Sequence, residues 1–414
     1  MKYGLIGERL GHSYSPEIHA CLAPYTYELH ELRPQELGPF MQARAFACIN
    51  VTIPYKTAVI PYLDGLDEAA RAIGAVNTVK RVGDRLYGYN TDFDGLSALI
   101  DRVGVPLSGR TVLVLGSGGT AKTAHAVCRA RGAGEILTVG RKAREGVISY
   151  EEAYARYAHA EYIINATPVG MYPNEDACPI DLSRFPHLLG VCDAIYNPLR
   201  TDLVQAACAR GIPAEGGLYM LVAQAVRAVS IFLGEEVARQ EAERVYRKLL
   251  QEKENLYLIG MPGAGKSTVG RALARAMGRP FFDTDEELVR EAGRDIPTLF
   301  AEEGEAGFRE REASVVARLA HEARGAVIAT GGGVVLRADN LHRMRRGGRI
   351  YFLDRALENI RPTSDRPLSS DQEALARRYS ERYPLYCAAA DVRIAVDENM
   401  ENSVENIRKD FLLG

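Results

Sequence analysis

The stretch "LIGMPGAGKSTVG", Leu258–Gly270, runs from an apolar segment through a glycine loop into a helix-like start. It satisfies G-x-x-x-x-G-K-S with Gly260, Gly265, Lys266 and Ser267. In a strand–loop–helix setting such a loop wraps phosphates with its backbone N–H groups. The lysine reaches the terminal phosphates and the hydroxyl meets Mg²⁺. Gly263, Ala264, Gly265, Lys266, Ser267 and Thr268 are therefore the candidate nucleotide contacts. A second loop of different design lies upstream, "VLVLGSGGTAKT", Val112–Thr123. Gly116, Gly118 and Ala121 fit G-x-G-x-x-G/A between an apolar strand and a helix. That is the setting in which a dinucleotide pyrophosphate sits on a helix N-terminus.

Working outward from the two loops, short β-rich runs alternate with helical stretches almost throughout. "KYGLI", "YTYELHEL", "ACINVTI" and "AVNTV" read as strands within the first ~90 residues. From "TVLVLG" onward the succession "EILTVG", "YIINAT" and "LLGVCDAIY", each separated by a helical run, implies a parallel sheet covered on both faces. "GLYMLVAQAVRAVSIFLG" reads as a buried helix. The charged stretch Glu235–Asn255 breaks the pattern, with a thin stripe of Val237, Val245, Leu249 and Leu250 and an i,i+4 pair Glu243/Arg247. It reads as a connector helix over 235–254, after which the alternation restarts with "NLYLIG".

A chain of 414 residues, 47% hydrophobic and 25% charged, has room for several cores. The net charge of −3, with both signs interspersed, implies no nucleic-acid partner, which would need a clustered basic excess. Seven scattered cysteines without a C-x-x-C pair read as reduced thiols. No segment has the length and apolarity of a membrane span, so no membrane partner is expected and the expected compartment is the cytoplasm.

Beyond the second loop's strand, Arg141, Lys142 and Arg144 stand where an NAD enzyme places an acidic residue for the ribose. A basic cluster suits a 2′-phosphate and favours NADP. Ahead of the loop, polar groups sit in unusual places: Ser13 and Ser15 in "GHSYSPEIH", Asn50, Thr52 and Lys56 in "INVTIPYKTAV", Asn77 in "GAVNTV", Asn90 and Asp92 in "GYNTDFDG". Each also has a structural reading: Ser15 as an N-cap before Pro16, Asp92 as a helix cap, Lys56 as a solvated lysine.

Taken in order, "SYSP", "NVTIPYK", "GAVNT", "GYNTD", "GSGGTAKT", "INATPVGM", "DAIYNPLRT" and "GLYMLVAQA" resemble shikimate dehydrogenase over residues 1–240. The resemblance implies NADPH-dependent reduction of 3-dehydroshikimate. It also implies a catalytic α/β part at 1–95 and 215–240 around a Rossmann NADP part at 96–214. Lys56 and Asp92 would be the catalytic pair. Ser13, Ser15, Thr52, Asn77, Tyr196 and Gln224 would hold the substrate, and Gly116, Ser117, Gly118, Gly119, Arg141, Lys142, Thr167 and Met220 the cofactor. Gly140-Arg141-Lys142 replaces the family's Asn-Arg-Thr, which leaves NAD open beside NADP. Pro168 replaces a serine.

In the last part of the chain, "PFFDTDEEL" offers Asp283 and Asp285, two apart and so on one side of an extended segment. "GEAGFRERE" offers Phe308, Arg309 and Glu312, "TGGG" offers Gly331, Gly332 and Gly333, "SDRPL" offers Arg366 and "SERYPLY" offers Arg382. This set, with "GAGKS", resembles shikimate kinase over residues 254–414. The implied fold is a P-loop α/β domain of nucleoside-monophosphate-kinase type, and the implied activity is ATP- and Mg²⁺-dependent phosphorylation of shikimate. Asp285 would receive the hydroxyl proton, and Ser267 and Asp283 would hold the metal. Lys266 and Arg366, the latter from a closing lid, would neutralise the transferring phosphoryl group. Arg309, Arg382 and the three glycines would hold the substrate. A fused α/β enzyme with two active sites and small-molecule substrates is the resulting expectation. The alternative is a shikimate or quinate dehydrogenase whose P-loop domain binds ATP only to regulate it.

Overall fold

The computed structural model describes residues 1–11, 13–360, 372–397 and 400–413. The chain divides into two compact units, Met1–Lys248 and Leu249–Gly414. All seven cysteines are free.

The first unit holds two sheets. Strands β1 (Tyr3–Gly7), β2 (Tyr27–Glu31), β3 (Cys48–Val51), β4 (Gly65–Leu66), β5 (Thr78–Val82) and β6 (Arg85–Tyr89) lie in the order β2-β1-β3-β5-β6-β4. The sheet is mixed. β1 runs parallel to β2 and β3, but β5 is antiparallel to both β3 and β6. The β5–β6 hairpin is not anticipated by the sequence reading. Its turn is the pair Gly83–Asp84, with Gly83 at φ +58, and glycine-first two-residue loops of this kind close hairpins.

Strands β7 (Thr111–Leu115), β8 (Glu135–Gly140), β9 (Ile148–Ser149), β10 (Tyr162–Asn165), β11 (Gly190–Asp193) and β12 (Ala214–Glu215) form a wholly parallel sheet, ordered β12-β11-β10-β7-β8-β9. Its central strand explains its own sequence. Val112 and Val114 pack on one face with Tyr162, Ile164 and Leu99, while Leu113 and Leu115 pack on the other with Ile163 and Val139. A strand buried on both faces reads as an unbroken apolar run. Two helices, Asp92–Val103 and Leu218–Leu233, pack on each other and carry the chain between the two sheets.

The second unit has five parallel strands, β13 (Asn255–Ile259), β14 (Phe281–Asp283), β15 (Val327–Ala329), β16 (Gly348–Asp354) and β17 (Val392–Ala395), ordered β14-β15-β13-β16-β17. Here too the centre strand splits its residues, Leu256 and Leu258 to one face, Tyr257 and Ile259 to the other. Both loops leave the C-terminal end of a central strand, where ligands bind in open α/β sheets.

The expected connector is a helix over Gln240–Lys253. Its stripe is broader than Val245 and Leu249 alone, since Ala242 and Tyr246 are buried beside them. Glu243 and Arg247 pair at 2.7 Å. Arg102 lies over the rings of Tyr219 and Tyr246 and bonds Glu215 and Glu243, which ties this helix to both chain-carrying helices. Among the described residues no helix is long and apolar enough to cross a membrane.

Candidate active sites

In the first unit a cavity of about 450 Å³ opens between the two sheets. Ser13, Ser15, Thr52, Lys56, Asn77, Asp92, Tyr196, Met220 and Gln224 all line it, together with Gly119 and Thr120 of the glycine loop. Thr52 and Lys56 follow β3, and Asn77 precedes β5. Lys56 Nζ donates to Asp92 Oδ2 at 2.5 Å, with the side chains 24% and 13% exposed. Asp92 Oδ1 accepts from Asn77 Nδ2 at 2.9 Å. Thr91 closes the network: its N–H donates to Asn77 Oδ1 at 2.7 Å and its hydroxyl to Gln224 Oε1 at 3.2 Å.

Asp92 is the first residue of its helix, whose cap, Thr91, makes no side-chain cap bond. The carboxylate is therefore spent on Lys56 and Asn77, not on the helix. Ser15 likewise is not an N-cap: its helix begins at Ser15 with Tyr14 at the cap position and no side-chain cap bond. Burial pushes the Tyr196 hydroxyl above its ordinary pKa, with Tyr14 adding to it.

The residues fit a phosphorylated dinucleotide. Gly116 has φ +98, and a Cβ there would meet Thr167 Cγ2 at 2.9 Å, so only glycine passes. A Cβ at Gly118 or Gly119 would meet nothing within 4 Å, which leaves their backbone open to a ligand at a helix N-terminus. Arg141 and Lys142 are exposed just past β8. Arg144 Nη2 donates to Ser117 Oγ at 2.6 Å, bringing the basic turn against the loop.

In the second unit a cavity of about 580 Å³ runs from the phosphate loop to the helical segment Ile296–Glu322, which is broken at Gly304 (φ +69). Gly263, Gly265, Lys266, Ser267 and Thr268 line one end; Ala264 lies beneath them, fully buried. Lys266 Nζ donates to the carbonyls of Gly260 and Met261, each at 2.9 Å. Ser267 Oγ donates to Asp283 Oδ2 at 2.6 Å. A hydroxyl and a carboxylate held together beside a phosphate loop are the hard oxygen donors Mg²⁺ takes.

Asp283 and Asp285 do not share an extended segment. Asp283 ends β14 and caps the next helix, accepting from the N–H of Asp285, which already lies in the first turn. Both line the cavity. The intervening Thr284 accepts from the N–H of Gly331 at 2.9 Å and so sets the triple glycine.

Each of those glycines has a steric reason. A Cβ at Gly331 would collide with Glu312 Oε1 and fall 2.8 Å from Asp285 Oδ1. At Gly332 it would fall 2.7 Å from Pro262, and at Gly333 it would overlap the Arg309 guanidinium. Arg309 pairs with buried Glu312 at 2.8 Å. Arg309 Nε and Glu312 Oε1 are nonetheless buried without hydrogen-bond partners among the described residues, which an acceptor rich in hydroxyls and charge would supply. Arg382 Nη1 donates to Gly332 O at 2.9 Å.

A curated relative, the NADP⁺ shikimate dehydrogenase of Bacillus subtilis (strain 168), is 35% identical over 257 residues, 56% of this chain and 92% of that protein. The chain belongs to the shikimate dehydrogenase family. The family model for the shikimate dehydrogenase substrate-binding domain matches residues 5–79, and that for shikimate kinase matches residues 262–411. The chain is thus an enzyme in which a shikimate dehydrogenase precedes a shikimate kinase domain. Two solved structures are similar to the dehydrogenase. A chorismate mutase/shikimate 5-dehydrogenase fusion from Clostridium acetobutylicum is 34% identical with a TM-score of 0.57, covering 60% of this chain and 96% of that one. The Thermus thermophilus shikimate 5-dehydrogenase in complex with NADP(H) and shikimate is 30% identical with a TM-score of 0.54, covering 60% and 99%.

Around the dehydrogenase cavity, sequence reasoning misses Arg9, Thr91 and the Tyr27 hydroxyl that donates to Asn50 Oδ1 at 2.7 Å. Nothing in their local sequence marks them. In the kinase domain it misses Thr284, Arg378 and the apolar wall of Ile296 and Phe300. Arg378 does carry a signal, standing one helical turn before Arg382. Arg366 lies outside the described residues.

Proposed function

We propose that the chain catalyses two consecutive reactions, NADPH-dependent reduction of 3-dehydroshikimate to shikimate and ATP- and Mg²⁺-dependent phosphorylation of shikimate to shikimate 3-phosphate. One observation carries this reading. Each glycine loop borders a cavity that also holds a carboxylate placed for proton chemistry, Asp92 with Lys56 at one and Asp285 at the other.

At the first site NADPH supplies the hydride. Gly116, Ser117, Gly118, Gly119, Thr167 and Met220 hold it, and Arg141 and Lys142 meet its 2′-phosphate. Lys56 hands a proton to the ketone oxygen as negative charge develops there. Asp92 fixes the ammonium and orients the neighbouring hydroxyl, and Asn77 holds Asp92 in turn. Ser13, Ser15, Thr52, Asn77, Tyr196 and Gln224 supply hydrogen bonds to the carboxylate and hydroxyls of the substrate. The solved Thermus relative in complex with NADP(H) and shikimate supports this pairing of ligands.

At the second site ATP supplies the phosphoryl group and Mg²⁺ screens its charge. Gly263 to Thr268 cradle the phosphates and Lys266 neutralises the terminal ones. Ser267 and Asp283 hold the metal. Asp285 takes the proton of the attacking hydroxyl. Arg309 and Arg382 clamp the acceptor carboxylate beside Gly331, Gly332 and Gly333. Arg366 is assigned to the closing lid by the family resemblance.

The test supplies the full chain with 3-dehydroshikimate, NADPH, ATP and Mg²⁺ and follows products by chromatography. Shikimate 3-phosphate is expected. Shikimate accumulating without phosphorylated product, with ATP altering only the dehydrogenase rate, would convert the second domain into a regulatory module and sink the two-step reading.

A further inference from the structure

The acceptor end of the kinase-domain cavity holds three guanidinium groups, those of Arg309, Arg378 and Arg382. Arg309 bonds Glu312 and Glu305, and Arg382, itself buried, bonds the Gly332 carbonyl. Arg378 lies on the helix Gln372–Ala389, four residues before Arg382 and therefore on the same face. Like charges at that spacing destabilise a helix, and a third cation nearby adds to the repulsion. Burial pushes the Arg378 guanidinium below its ordinary pKa. The Arg382 charge adds to this, Glu305 and Glu381 oppose it, and Arg309 acts with Arg382. Glu305 is more than half exposed, so solvent screens its compensation. A cluster of like charges facing a cavity is more stable with an anion bound there.

We propose that Arg378 is a specificity-determining residue of the acceptor pocket, a third guanidinium that shares the acceptor's carboxylate with Arg309 and Arg382 and makes an anionic group a requirement for binding. This rests on the kinase reading above. Its consequence is that the pocket rejects an acceptor of the same ring and hydroxyls whose carboxylate is masked. Arg309 is already paired with Glu312, so the repulsion lies chiefly between Arg378 and Arg382, and a bound carboxylate relieves it. A neutral ester fills the same space without relieving it.

The experiment measures ATP-dependent phosphorylation by the full chain and by Arg378→Gln and Arg378→Lys, with shikimate and with shikimate methyl ester, the ester read as a competitive inhibitor where it is not turned over. The expected result for Arg378→Gln is a KM for shikimate raised about tenfold, with kcat and the KM for ATP little changed. The ester constant stays as in the parent, so discrimination between acid and ester narrows by the same factor. Arg378→Lys recovers part of the loss because it restores charge without the planar fork. An unchanged KM for shikimate in Arg378→Gln overturns the inference, as does an equal loss toward acid and ester, which would mark a packing role. A parent chain that turns over ATP with no acceptor phosphorylated overturns the kinase reading and this inference with it.

Discussion

Replacing Lys56 tests the dehydrogenase site most directly. Its ammonium sits 2.5 Å from Asp92 Oδ2, and the two side chains are only 24% and 13% exposed. The ammonium proposed as proton donor is therefore held in one geometry at the cavity wall. A positioned general acid contributes about 10²–10⁴ in rate, equivalent to about 3–5 kcal/mol of barrier at 1.36 kcal/mol per decade. Lys56→Met keeps most of the stem's packing and removes the proton. Its kcat for 3-dehydroshikimate reduction should fall by about that factor, with the KM for NADPH near the parent's, because the amine's hydrogen bond goes to Asp92 and not to the dinucleotide loop. Asp92 keeps the Asn77 amide at 2.9 Å as a partner, so the stability cost should stay at about 1–3 kcal/mol, that of one hydrogen bond lost by a partly buried carboxylate. Asp92→Asn should also slow reduction, and the double variant should be little worse than Lys56→Met alone, since groups acting as a unit are not additive. Initial rates of NADPH absorbance loss give the first reaction. Phosphorylation of supplied shikimate by the same preparation gives the second, and should be intact. A Lys56→Met chain that reduces 3-dehydroshikimate at the parent rate would refute the general-acid assignment. One that is folded yet silent in both reactions would refute the independence of the two sites.

Five further outcomes are expected. Lys266→Ala should lower kinase turnover by at least about 10², the usual cost of deleting one preorganised electrostatic contact, and leave 3-dehydroshikimate reduction unchanged; Asp285→Asn should lose turnover while ATP binding by calorimetry persists. Removing Mg²⁺ with a chelator should stop phosphorylation only, and a loss of both rates would count against a metal site confined to Ser267 and Asp283. Gly333→Ala must displace Arg309, whose guanidinium overlaps the position of the new Cβ, so the KM for shikimate in the kinase reaction should rise with the KM for ATP unmoved; equal changes in both would point to general misfolding. His19 is buried against Tyr27 with Nδ1 2.7 Å from the Tyr25 hydroxyl, and burial lowers its pKa from 6.5 to about 3, with Asn50 acting in the opposite direction. The unfolded chain alone takes up that proton between about pH 6.5 and pH 3, so stability is full above this window and falls on acidification by about 1.4 kcal/mol per pH unit from this group. In urea unfolding at several pH values His19→Phe should flatten that slope, and a parental slope in the variant would discount the histidine.

The two glycine loops and the parallel sheets behind them are legible in the sequence because they rest on local rules. A strand buried on both faces needs an unbroken apolar run, and a turn at φ +98 needs glycine, as at Gly116. The β5–β6 hairpin escapes for a local reason of another kind: Gly83–Asp84 is a sound hairpin turn, but the charged sequence around it masks the strands. Local reasoning also misplaces Asp283 and Asp285. Counting by twos assumes an extended chain, whereas Asp283 stops the strand by capping a helix with its own carboxylate. The pair reaches one cavity through a cap and a first turn.

What is not legible depends on contacts between residues far apart in the chain. Asn77 meets Gln224 across 147 positions and Asn50 meets Tyr27 across 23. No periodicity announces either, since a buried asparagine looks ordinary until its partners are known. The triple glycine shows how far the two kinds of information can be joined. From sequence, "TGGG" is a strand end at which a ligand comes close. In the structure Gly331 makes room for Glu312 and Asp285, Gly332 for Pro262 and Gly333 for Arg309. Side chains of the protein itself fill the space, and the glycines act by letting two carboxylates and a guanidinium converge on one strand end. On the proposed reading these crowded groups grip the acceptor, so a single methyl group at Gly331 or Gly333 should be felt at the acceptor before it is felt at the nucleotide, whereas one at Gly332 presses on Pro262 of the phosphate loop.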